Sequence, residues 1–94
     1  MSKDKEMLQR YADLLMKDID YEMSLIELAM ARDDAKTLRE SAHTLKGLTA
    51  HLKTTSLRDL AAAIERMGIE GQLEGVTEKL ELLKTEYGNI RSAI

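Results

Sequence analysis

A chain of 94 residues can bury one small hydrophobic core but not two, so residues 1–94 are expected to form a single domain. The net charge of -3 argues against a nucleic-acid binder, and the absence of cysteine excludes disulfides, thiolate metal sites and cysteine nucleophiles. No apolar run approaches a membrane span and no signal-peptide core follows Met1-Ser2-Lys3-Asp4-Lys5-Glu6, so a cytoplasmic protein without a membrane partner is expected.

Leu, Ala, Ile and six Met supply the apolar volume, Val occurs once and Phe and Trp are missing, a mixture that favours helices over sheets. The first helix is predicted from a cap at Ser2, with Met7, Leu8, Tyr11, Leu14 and Leu15 on its apolar face. Asp18-Ile19-Asp20 offers a weak break before a second helix, whose stripe is Ile19, Met23, Ile26 and Met30; with no proline or glycine before Gly47, the two segments can also be continuous.

Asp33 or Asp34 is placed to cap a helix beginning near Ala35, along which Leu38, Ala42, Leu45, Thr49 and Leu52 form a bundle-type seam. Ser56 with Asp59 resembles a capping box for the next helix, which carries Leu57, Leu60, Ala61, Ile64 and Met67. Gly68, Gly71 and Gly75 then mark a loop with Ile69 and Leu73 as core plugs, and Val76, Leu80, Leu83, Tyr87 and Ile90 define a last helix. The expected fold is all-α: an antiparallel four-helix bundle with an additional N-terminal helix.

An advance of about 100° per residue puts His43 nearly opposite the Leu38–Leu52 seam, facing water. Lys36, Arg39, Lys46, Gly47 and Ala50 share its side of the helix, which makes that face basic and low in profile. A glycine inside a helix costs about 1 kcal/mol relative to alanine, so Gly47 suggests close approach of a partner beside His43. A neutral imidazole is a competent nucleophile toward phosphorus, and Lys46 could stabilise phosphoryl oxygens; phosphoryl transfer relies largely on positioning and charge neutralisation. The chain has no evident nucleotide site, so an expected partner supplies the metal and remaining catalytic groups.

The run Ala42-His43-Thr44-Leu45-Lys46-Gly47 resembles the signature of histidine-containing phosphotransfer (HPt) domains, the phosphocarriers of multistep phosphorelays. The resemblance implies that His43 accepts a phosphoryl group from a receiver-domain aspartate and passes it to another, with Lys46 the basic neighbour and Gly47 the small residue that admits the receiver. It implies response-regulator receiver domains and a hybrid sensor histidine kinase as partners, no cofactor of the chain's own, Mg on the receiver, and a monomeric carrier that is not itself an enzyme. The chain departs from the family pattern after the motif, where Leu48 and His51-Leu52-Lys53-Thr54 replace small residues and a glycine-containing segment.

Other readings compete. The phosphoacceptor helix pair of a sensor kinase typically has an acidic residue after its histidine and a proline soon after, whereas Thr44 follows here and the chain has no proline. A phosphorylation-independent helical adaptor is the alternative from a different class. A metal-dependent bundle enzyme lacks any Glu-x-x-His arrangement, and His51, about 80° around the helix from His43, reads as structural or surface.

Overall fold

Four helices carry the chain in the computed structural model, which describes residues 2–52 and 54–93: α1 (Ser2–Ala31), α2 (Ala35–Thr49), α3 (Thr55–Glu70) and α4 (Val76–Ala93). The two predicted N-terminal helices are one. An aspartate in a helix interior costs only a few tenths of a kcal/mol to about 0.7 kcal/mol, and Ile19, between Asp18 and Asp20, is fully buried. Anchoring the continuous helix at Ile19 outweighs the weak break. The side chains of Ser2, the expected cap, and of Lys53 lie outside the described residues.

Each later connection has a local cause. Asp33 takes a left-handed φ of 54°, and Asp34 caps α2 by accepting from the Thr37 N–H at 3.1 Å and the Thr37 hydroxyl at 2.6 Å. Thr54, not Ser56, caps α3 by accepting from the Ser56 N–H at 3.3 Å. Ser56 is already helical and donates instead to Glu86 of α4. Gly71, at φ 69°, closes α3 in the left-handed conformation that glycine adopts most readily.

Consecutive helices pack antiparallel, and α4 returns beside α1. The pairs Lys84–Glu27 at 3.0 Å and Arg91–Asp20 at 2.9 Å fix that last direction. The interior is built by Ile19 and Ile26 of α1, Leu38 and Leu45 of α2, Leu57 and Ile64 of α3, and Val76 and Leu83 of α4. These are the expected seam residues of every element except the first. Tyr87 is buried with its hydroxyl donating to the Met16 carbonyl at 3.1 Å, so the polar end of the ring is satisfied.

The first predicted seam divides. Leu15 is buried, but Met7, Leu8, Tyr11 and Leu14 are exposed. Since Arg91, near the end of α4, already pairs with Asp20, the turns of α1 before Leu15 project past the end of α4. At about 1.5 Å per residue, α1 accounts for nearly all of the molecule's 49 Å length, against 19 and 17 Å across. The 14.0 Å radius of gyration accordingly exceeds the roughly 12 Å of a compact chain this long.

Candidate functional site

His43 lies two turns before the end of α2, its side chain 68% exposed. Ala42 and Leu45 on either side of it are fully buried, so the helix is fixed against the core and the imidazole stands outward from a rigid base. Glu65, on the facing side of α3, is the group that orients it. The neighbouring Ile64 is fully buried in the core, which sets the rotation of α3 and leaves Glu65 at its flank, 16% exposed.

The two helices meet through this carboxylate. His43 Nδ1–H donates to Glu65 Oε2 at 2.7 Å, and Lys46 Nζ donates to Glu65 Oε1 at 2.7 Å. The hydrogen bond from Lys46, reinforced by that from His43, holds the Glu65 carboxyl below its ordinary range against the opposing effect of partial burial. An ionised carboxylate only accepts hydrogen bonds, so the proton of this contact belongs to Nδ1. In the neutral ring, Nε2 then carries the lone pair.

Gly47 is exposed, and a Cβ built there meets nothing within 4 Å. The space beside the histidine is open. Ala50, the C-cap of α2, is exposed and borders a shallow groove with Leu52, Thr54 and Arg58. Lys36 and Arg39 are exposed on the same helix, and neither forms an ion pair among the described residues. The structure thus joins His43 and Lys46 directly through Glu65 and leaves the other cations as solvated charge along the face.

Sequence reasoning missed the contribution of α3. Besides Glu65, it supplies Ala62, Arg66 and Ile69 to a groove that Lys46 also lines. Ile69 was expected to plug the core and is instead 62% exposed, because α3 continues through residue 70 and carries it outward. The signal was the spacing Arg58, Ala62, Glu65, Ile69, one helical line beside the Leu57–Ala61–Ile64 core stripe. Gly68, expected in a loop, is buried in α3, where a Cβ would come within 3.0–3.1 Å of the Arg39 Cβ and backbone. It is the glycine at which α2 and α3 approach most closely.

Leu48 is half-buried against the core, so this departure after the motif is partly a packing residue. His51 faces another way: its Nδ1 and the Tyr11 hydroxyl lie 3.3 Å apart, with the two rings edge to face. No group of three or more metal-ligating side chains occurs among the described residues. No helix among them is long and apolar enough to cross a membrane.

Fold and site together define a helical-bundle module that presents an oriented histidine on its second helix. The family model for the Hpt domain matches residues 6–93, nearly the whole chain, and the chain belongs to that family. No curated protein and no solved structure matches it. Members of the family are phosphocarriers of two-component phosphorelays rather than enzymes.

Proposed function

We propose that His43 is the phosphoacceptor, taking a phosphoryl group from the aspartyl phosphate of one receiver domain and delivering it to the aspartate of another. The observation that carries this reading is the His43–Glu65–Lys46 arrangement. With Nδ1 holding the proton, the Nε2 lone pair attacks phosphorus, the bond from phosphorus to the aspartyl oxygen breaks, and the aspartate leaves as a carboxylate. No proton need move. The product ring bears phosphorus on Nε2 and hydrogen on Nδ1, and its positive charge is stabilised by Glu65 at 2.7 Å. In the return step the N–P bond breaks and the pair stays on Nε2.

Lys46 shares the Glu65 carboxylate with His43 and so supplies a cation on the same side of the ring to offset phosphoryl charge, while Gly47 and Ala50 leave the approach clear. Lys36 and Arg39 extend a positive margin along α2, suited to the acidic metal site of a receiver. Mg is expected on that receiver, whose groups supply the remaining chemistry, and a hybrid sensor kinase is the expected upstream partner. Incubation with phosphorylated receiver domains should yield an acid-labile, base-stable phosphate on this chain. His43→Gln should abolish it while circular dichroism stays unchanged. Absence of label across a panel of receivers overturns the proposal.

A further inference from the structure

Besides Glu65, α3 brings one large apolar side chain to the neighbourhood of His43, and the transfer chemistry leaves it unused. Ile69 follows Glu65 by four residues, so the two lie about 40° apart around the helix and one turn from each other along it. It is 62% exposed and lines the groove that Lys46, Ala62, Glu65, Arg66 and Glu70 also border. The other exposed large apolar side chains among the described residues are on α1 and, as Leu82, on α4. The second helix offers none, since its exposed positions are charged, polar or as small as Gly47.

The face around His43 is therefore unequal at its two ends. Ala50 of α2 and Arg58 of α3 border one shallow groove at the first end, where Gly47, Ala50 and Ala62 keep the surface low. At the second end Arg39 lies against Gly68, and Ile69 is the next residue along α3. A lone surface isoleucine needs no explanation. This one borders the groove of the carboxylate that holds His43, so a partner surface that closes on Nε2 covers it as well. The groove carries Lys46 and Arg66 against Glu65 and Glu70, and its formal charges cancel. Charge draws a partner to Lys36 and Arg39 on α2, while on α3 the attraction is left to Ile69.

We propose that Ile69 is a specificity-determining residue of the transfer, the seat of an apolar side chain that the receiver domain carries beside its acidic phosphorylation pocket. The proposal rests on the reading of His43 as phosphoacceptor and adds which receivers it accepts. Long solvated cations such as Lys36 and Arg39 attract any acidic pocket and discriminate little among them. A β-branched side chain is stiff and presents one shape. A receiver with an apolar residue opposite removes apolar surface from water on both partners, and one with a charge there desolvates it without a partner. Ile69 touches neither the imidazole nor the phosphoryl group in this scheme. Its contribution is the same before and during transfer, so it sets the receiver concentration needed and not the rate at saturation.

The test is the rate of phosphoryl transfer to the full chain as a function of receiver concentration, using the phosphorylated receiver domain that labels the wild type fastest. Ile69→Ala should raise the half-saturating concentration about tenfold and leave the saturated rate and the helix content unchanged. Ile69→Leu, which keeps the apolar volume, should stay within about twofold of the wild type. Leu82→Ala is the control, since Leu82 is 56% exposed on α4, which does not touch α2 among the described residues, and it should change neither quantity. Unchanged half-saturation in Ile69→Ala overturns the proposal and leaves His43 as phosphoacceptor. An equal rise in Leu82→Ala, or a fall in the saturated rate of Ile69→Ala alone, overturns it as well. A wild type that no receiver labels overturns the phosphoacceptor reading and this proposal with it.

Discussion

Because Glu65 accepts from His43 and Lys46 at 2.7 Å each, replacing it by glutamine removes a charge while keeping the size of the side chain. Glu65→Gln should therefore slow phosphoryl acceptance by His43 about tenfold, equivalent to ~1.4 kcal/mol, with the bundle intact; rapid-quench transfer kinetics against circular dichroism would check it. An unchanged rate would reduce Glu65 to a structural contact. The same carboxylate makes stability acid-sensitive. Its folded pKa lies below the ordinary 4.5, so its contribution is fully present above that value and is lost as pH falls through the lower folded one. Urea midpoints should fall more steeply below pH 4.5 in the wild type than in Glu65→Gln. At this scale the placement of His43, Lys46 and Gly47 together was legible, since one helix carries all three. Glu65 was not, because its meeting with His43 depends on the register between α2 and α3, which helical spacing within either element does not encode.

Two glycines separate how the α2–α3 pair is held from how it is proposed to meet a receiver. Gly68 sits where a Cβ would crowd the Arg39 backbone at 3.1 Å, so Gly68→Ala should destabilise the bundle by about 1–3 kcal/mol despite alanine's better helix propensity. Gly47 has open space around it, so Gly47→Ala should leave the free protein as stable or raise its stability by up to about 1 kcal/mol. The added methyl group should nevertheless slow transfer from a receiver, because it would stand on the docking ground proposed beside His43. Thermal melts and transfer rates of the two variants would separate packing from docking. The sequence showed Gly47 as the anomaly because it interrupts a long helical pattern, but Gly68 was grouped with Gly71 and Gly75 as loop punctuation. Only the approach of the neighbouring helix distinguishes a glycine that ends a helix from one that lets another backbone come near. Similarly, Ser56 with Asp59 carried a cap signature, yet Thr54 caps α3, since Ser56 reaches Glu86 across the bundle.

In the whole molecule, the heptad seams of the later helices specified the core, because their spacing alone decides which side of a helix is apolar. The first seam was misassigned for the same reason: α1 carries two apolar stripes, and periodicity cannot say which one the bundle covers. The closure of α4 on α1 adds a pH dependence of the opposite sense to that of Glu65. Burial beside Asp20 raises the Tyr87 phenol from 10.0 to about 12. The unfolded chain ionises first, so stability present below pH 10 should decline as pH rises toward 12, and Tyr87→Phe should flatten that decline. The same variant should cost about 1 kcal/mol at neutral pH by leaving the Met16 carbonyl without its donor. None of these tests reaches the reacting atom, on which the account turns. Nitrogen–phosphorus coupling in the NMR spectrum of the receiver-phosphorylated, ¹⁵N-labelled chain does so directly. The His43–Glu65 hydrogen bond predicts phosphorus on Nε2 of His43 with Nδ1 still protonated; phosphorus on Nδ1, or on His51, would contradict it.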